Sequence, residues 1–162
     1  MSYSTFLYEV ADGIATVRLN NPDKLNALTF QTYEELERLF ADLAHDNQVK
    51  VVIITGSGKG FCLGGSVHEI IGKLIDMNAE ELHRFTRMTC NVTKHMRNLR
   101  KPIIAAGAGA MLALASDIRF GIGTARSLPF CLSKSAFPVP TWGLVICCPG
   151  WWGWEKPRSY YS

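Results

Sequence analysis

The stretch Val51-Val52-Ile53-Ile54-Thr55-Gly56-Ser57-Gly58-Lys59-Gly60-Phe61-Cys62-Leu63-Gly64-Gly65 decides how this chain is read. Its first five residues are β-branched and do not alternate between apolar and polar, which predicts a strand covered on both faces. The glycines crowded between Gly56 and Gly65 predict a tight turn, because glycine takes φ > 0 without strain. A buried strand that ends in such a turn is where α/β proteins place ligands.

Upstream, Phe6 to Val10 and Ile14 to Leu19 read as two short strands around the turn Ala11-Asp12-Gly13. The loop Asn20-Asn21-Pro22-Asp23-Lys24-Leu25-Asn26 leads to a helix with Thr29 as its N-cap. In that helix Tyr33, Leu36, Phe40 and Leu43 share one face, and Glu34, Glu35, Glu37 and Arg38 are expected to face away. Downstream, a second helix starts near Asn78, with Glu81 completing a capping box. Its expected buried stripe is Leu82, Phe85, Thr89, Val92, Met96 and Leu99. Lys101-Pro102 breaks it and opens the strand Ile103-Ile104-Ala105-Ala106. Strand, helix, buried strand, helix and buried strand make an α/β layout with right-handed crossovers.

With 162 residues the chain can bury one core, and 48% hydrophobic with 19% charged residues is ordinary for a folded domain. The net charge of +3 is not gathered into a stripe, so no nucleic acid or anionic membrane is expected as a partner. No apolar run reaches membrane-spanning length, and MSYSTFLYEVADG lacks the order of a signal peptide, so the expected location is the cytoplasm. Cys62, Cys90, Cys131, Cys147 and Cys148 are odd in number and lack paired ligand spacing, which predicts reduced thiols and no metal.

A second glycine turn, Gly107-Ala108-Gly109-Ala110-Met111, follows the later strand. Neither turn is a phosphate cradle of known type. Gly60 stands where a P-loop needs Ser or Thr after Lys59, and Leu112 stands where a dinucleotide fingerprint needs its third glycine. Two readings remain. The turns are only tight turns, or one backbone N–H from each converges on a single oxygen and stabilises charge there.

The blocks LNNPDKLNALT, VVIITGSGKGFCLGG, KPIIAA and GAGAMLALASDIRF resemble the enoyl-CoA hydratase/isomerase (crotonase) family in order and spacing, from about Tyr8 to Arg126. The resemblance implies the crotonase-like ββα spiral, incomplete at its C-terminus, in an α/β protein. It further implies an acyl-CoA substrate with coenzyme A as part of it, no tightly bound cofactor, and a trimeric or hexameric assembly. Carried over by position, Gly65 and Ala108 match the two oxyanion-hole N–H groups. Lys24, Leu25 and Ala27 match the segment lying along the coenzyme A adenosine, and Gly64 adjoins it. For Lys24 the alternative is a solvated loop charge.

Three departures qualify the resemblance. Family members carry a link of the type KPIIAAVNGVAAGAGAM, whereas here Ala105-Ala106 runs straight into Gly107. About six residues are missing, up to roughly 20 Å of extended chain, so the second turn is either pulled away or reached by a shorter strand. Met111 stands where the hydratases carry their first catalytic glutamate, and Met cannot shuttle a proton. Glu69 and His68 lie after the first turn, each either a solvated residue or a replacement acid–base group.

The third departure is the end of the chain. Residues 127–162 hold all four tryptophans and three of the five cysteines, with no helical or strand period. Read one base earlier, the codons of SKSAFPVPTWG permit VKVGLSGADMG, and those of CPGWWGWEKPRSYY permit LPRVVGLGKATELL; both resemble the family sequence expected next. Part of that agreement is forced: Trp has one codon, so Trp152 shifts to Val, and Gly153 and Glu155 shift to Gly. The expected organisation is therefore a family core over 1–126 and a frameshifted tail over 127–162. The alternatives are a genuine Trp-rich tail and, for the chain as a whole, a non-catalytic or inactive fragment.

Overall fold

The computed structural model describes residues 3–58, 60–62, 64–66, 69–70, 72–107 and 110–120. The tail 127–162 lies outside the described residues. Among the described residues five strands, β1 (Phe6–Ala11), β2 (Ile14–Leu19), β3 (Val51–Gly56), β4 (Ile103–Ala106) and β5 (Ile118–Phe120), form one sheet in that order. Four α-helices accompany them among the described residues: α1 (Phe30–Leu43), α2 (Gly72–Leu74), α3 (Ala79–Asn98) and α4 (Ala110–Ala115).

Asp12 and Gly13 both adopt positive φ, as a two-residue hairpin turn requires, and this pins β1 antiparallel to β2 with Ala11 opposite Ile14. The other pairings, β2–β3, β3–β4 and β4–β5, are parallel. Parallel neighbours need crossovers, and α1 and α3 supply the first two. The Thr29 side chain accepts from the Thr32 N–H, and Thr32 returns a bond to the Thr29 N–H. Asn78 and Glu81 cap α3 in the same reciprocal way. Beyond the end of α1, the Lys101 ammonium donates to the carbonyls of Leu43 and Asp46.

The core lies between the helices and one face of the sheet. Leu36, Leu39, Phe40 and Leu43 of α1 and Val92 and Met96 of α3 are buried in one cluster with Ala15, Val17, Leu19, Val52, Ile54, Ile103 and Ala105. At roughly 1.5–3 kcal/mol for each large side chain buried, this face supplies most of the drive to fold.

The opposite face differs from expectation. Register places Leu7, Arg18, Thr55, Ala106 and Phe120 in one row across it, and Thr16, Ile53, Ile104 and Ile118 in the next. Leu7, Ile118 and Phe120 are 55%, 47% and 60% exposed. Only one side of β3 is thus fully covered: Val52 and Ile54 are buried, Val51 and Ile53 half-buried. The unbroken β-branched run reflects strand propensity as much as burial.

Two other expectations change. Glu35 does not face solvent; it is buried, and its carboxylate accepts from the backbone N–H and hydroxyl of both Ser4 and Thr5. Burial alone would raise its pKa, but these donors outweigh it and hold the carboxyl at about 2. In α3 the stripe is buried only toward its C-terminal end, at Val92, Met96 and Leu99; Leu82 is exposed and Phe85 half-buried. The helix runs off the edge of the core. The short α4 and β5 gave no period long enough to read in the sequence.

Candidate functional site

The site begins at the C-terminal end of β2. A single 3-10 turn, Pro22–Lys24, is followed by Leu25 and Asn26, both at positive φ (49° and 55°). Asparagine tolerates this region better than most residues, and here its side chain is fully used. The Asn26 Oδ1 accepts from the Asn21 N–H at 2.9 Å, and its Nδ2 donates to the carbonyls of Ser57 (2.9 Å) and Gly60 (2.6 Å). Asn26 is 2% exposed. One buried amide therefore ties the β2–α1 loop to the first glycine turn.

A second tie lies further along. The Leu28 N–H donates to the Gly64 carbonyl and the Ser66 N–H donates to the Leu28 carbonyl, each at 2.8 Å, forming an isolated parallel bridge between Leu28 and Gly65. In a parallel pairing the residue between two such bonds turns its own N–H and C=O to the other side. The Gly65 N–H accordingly points away from Leu28. The residue is exposed, and its N–H donates to no described residue. Such a backbone donor, held in place and open, is what an oxyanion hole uses.

Beside Gly65 are Ile70 and Tyr33: a β-carbon at Gly65 would lie 3.3 Å from Ile70 Cδ1 and 3.9 Å from Tyr33 Oη. Burial pushes the Tyr33 phenol well above its ordinary pKa, and the nearby Cys62 acts in the same direction. The phenol stays protonated and is a hydrogen-bond donor.

The first residue of the second glycine turn reaches the first turn. Gly107 has φ 138°, its N–H donates to the Phe120 carbonyl at 2.8 Å, and it packs on the Phe61 side chain. Gly107 stays beside the first turn despite the short link, directly after β4, which is four residues long and pairs with β3. The Thr55 hydroxyl donates to the Ala106 carbonyl at 3.1 Å and closes the two strand ends. Ala108 lies outside the described residues, as does His68. Met111 falls in α4, and its side chain lies outside the described set.

Lys24, Leu25 and Ala27 stand on the same loop, next to the Gly64–Gly65 segment. The Lys24 ammonium donates to Glu69 Oε1 at 2.6 Å, with both side chains largely exposed. Hydrogen bonding to Lys24 and its charge hold the Glu69 carboxyl below the usual carboxylate range. Glu69 is thus an ion-pair partner rather than a raised-pKa acid, close to its solvated reading. Ala27 lines a polar cleft of about 250 Å³ with Ser4, Thr5, Asn21, Thr29 and Glu69. Among the described residues Cys62 and Cys90 form no disulfide, and the Gly64 N–H donates to Cys62 Sγ. Among the described residues no cluster of three His, Cys, Asp or Glu could hold a metal, and no helix is long and apolar enough to cross a membrane.

The sequence reading therefore brought together Lys24, Leu25, Ala27, Gly64 and Gly65, which the fold also joins. It passed over Asn26 and Tyr33. Asn26 carried a signal, a lone asparagine between Leu25 and Ala27 just before a helix cap. Tyr33 read as core, because one aromatic on an apolar helix face has no distinguishing period.

Glycine-rich segments follow the adjacent parallel strands β3 and β4, and the first of them carries the outward Gly65 N–H, in an α/β protein. The chain belongs to the enoyl-CoA hydratase/isomerase family, whose model matches residues 9–138, beyond Arg126. It is 31% identical to the short-chain-enoyl-CoA hydratase of Clostridium acetobutylicum, over 96% of this chain and 57% of that protein. It is 30% identical to the 1,2-epoxyphenylacetyl-CoA isomerase of Escherichia coli K12, over 90% and 55%. Among solved structures, enoyl-CoA hydratase from Bacillus anthracis superposes with a TM-score of 0.61 at 28% identity, covering 72% of this chain and 46% of that one. A Streptomyces coelicolor A3(2) structure gives 0.70 at 44% identity, over 74% and 46%. The chain spans about half the length of the curated relatives it matches. The crotonase-like α/β fold expected from the sequence is the fold found.

Proposed function

We propose that the chain carries the thioester-polarising half of an acyl-CoA-processing site. The Gly65 N–H is the first donor to the thioester carbonyl oxygen, and the Ala108 N–H the second. Lys24, Leu25, Ala27 and Gly64 run along the coenzyme A portion, with the Lys24 ammonium meeting phosphate charge. The observation that carries the reading is the Leu28–Gly65 bridge, which leaves the Gly65 N–H outward, exposed and without a described acceptor. Two such donors stabilise the charge that develops on the carbonyl oxygen when the thioester becomes an enolate. No bound metal or cofactor enters the proposal, and two cysteines that form no disulfide among the described residues, Cys62 and Cys90, fit a cytoplasmic setting.

Hydration of the double bond is not part of this reading, because Met111 stands at the first glutamate position. That same residue favours the competing reading, a non-catalytic chain that keeps the fold for binding. Enoyl absorbance of crotonyl-CoA and the thermal shift given by coenzyme A separate the two. A thermal shift with unchanged absorbance leaves a binding protein; neither signal removes the acyl-CoA reading altogether.

The tail belongs to the same proposal. Residues 127–162 are the product of a shifted reading frame, which accounts for their tryptophans and cysteines without assigning them a role.

A further inference from the structure

A buried tyrosine hydroxyl normally finds a hydrogen-bond partner. Tyr33 is 6% exposed, yet its hydroxyl makes no hydrogen bond among the described residues, and no sealed side-chain oxygen there lacks a partner. The hydroxyl therefore keeps an opening to solvent. It lies beside Gly65 and near Ile70 and Cys62 among the described residues. The ring is held edge-on to Phe85 (5.8 Å between centroids, 86°), and Phe85 in turn packs on Phe30 at 4.7 Å. Tyr33 also sits in the first turn of α1, where the Thr29–Thr32 capping box fixes the helix register. A polar group positioned by a capped helix and an aromatic cluster is a preorganised contact.

We infer that the Tyr33 hydroxyl is the acyl-reading group of this site, donating a hydrogen bond to an oxygen carried on the acyl chain of a bound thioester. It is a specificity residue and takes part in no bond-making step. The inference rests on the oxyanion reading of Gly65. With the thioester carbonyl at the Gly65 N–H, the third acyl carbon is two single bonds from the carbonyl carbon, roughly 2.5 Å away. Tyr33 Oη lies 3.9 Å from where a Gly65 β-carbon would be, so under this inference an oxygen on the third acyl carbon comes within its reach. Acyl chains with a 3-oxo or 3-hydroxy group are thus preferred over plain aliphatic chains. An unadorned methylene there would leave the phenol unpaired.

Dissociation constants of coenzyme A, butyryl-CoA and acetoacetyl-CoA for the full chain and for Tyr33→Phe test this. The substitution keeps the ring and its Phe85 contact. The expected result is about tenfold weaker acetoacetyl-CoA binding in Tyr33→Phe, with coenzyme A and butyryl-CoA within twofold. Equal changes for all three ligands, or none, overturn the role of Tyr33 while leaving Gly65 untouched. Failure of the unaltered chain to bind either thioester better than coenzyme A removes the Gly65 reading and this one with it. Ultraviolet difference absorption of the unaltered chain is an independent readout. Acetoacetyl-CoA should perturb the phenol band and butyryl-CoA should not; identical spectra overturn the inference even if Tyr33→Phe does not fold.

Discussion

Phe61 occupies the space that a side chain on Gly107 would need: a β-carbon at Gly107 would lie 2.5 Å from Phe61 Cβ and 3.0 Å from its Cγ. This contact joins the two glycine turns, one after β3 and one after β4. It holds even though the link between the strands and the second turn is short.

Gly107→Ala is therefore expected to be costly twice over, through the contact with Phe61 and through the positive φ of 138°. A loss of about 2–4 kcal/mol in denaturant unfolding is the expected outcome. Because the closest contact is with Phe61 Cβ, Phe61→Gly combined with Gly107→Ala should fall short of the sum of the single effects. Strict additivity in that cycle would mean that the turns do not bear on each other.

Replacing Asn26 separates the loop from the first turn. Asn26→Asp preserves the acceptor for the Asn21 N–H but loses both donations, to Ser57 and to Gly60. The two carbonyls then face a buried carboxylate, and a cost of about 2–3 kcal/mol follows. Coenzyme A affinity should drop as well, because Lys24 and Leu25 lose their fixed position. Calorimetry on the variant at a temperature where it remains folded checks both effects.

Acid stability should carry the signature of Glu35. Its folded pKa, about 2, lies below the unfolded carboxylate value, so its contribution is complete above the unfolded pKa, near 4.3. That contribution is lost as pH falls through the interval down to about 2. Glu35→Gln should flatten the decline of stability over this range and lower stability at neutral pH by about 1–2 kcal/mol. Urea titrations at a series of acidic pH values measure the slope; an unchanged slope would show that another carboxylate carries the acid response.

Lys24 and Glu69 test surface electrostatics against ligand binding. Exposed pairs contribute little to folding, so Glu69→Gln should leave the melting temperature unaltered. Lys24→Ala should weaken coenzyme A binding several-fold and flatten its dependence on salt. Salt titration of the dissociation constant distinguishes this from a loop charge that never meets the ligand.

Genomic DNA across the Arg126 codons is expected to regain the family sequence when a single base is restored, reading VKVGLSGADMG in place of Ser133 to Gly143. An uninterrupted frame in both gene and transcript would establish the tail as genuine.

Legibility in the sequence followed the physics of each signal. The hairpin, the two capped helices and the strands at Val51 and Ile103 were readable because each combines a period with a local stop or start: Asp12-Gly13, Thr29, Asn78, Pro102. Gly65 and the Lys24 loop came from family blocks. Glu35 was misread because helical spacing assigns a side but cannot foresee that Ser4 and Thr5 would bring four hydrogen bonds to it. The same limit hid Asn26, whose partners Ser57 and Gly60 are more than thirty residues away. The buried stripe of α3 was overextended because period reports which side faces inward, not how far the neighbouring sheet reaches.

The sheet face bearing Ile53, Ile104, Ile118 and Phe120 sets a different kind of limit. The opposite face holds the fold together and governs how the chain responds to heat. The exposed apolar side chains Leu7, Ile118 and Phe120 on this face, with β5 the outer strand among the described residues, govern how one molecule meets the next. The working ceiling for this protein is therefore colloidal. Light scattering should rise with concentration at temperatures where the circular dichroism of the chain is still intact.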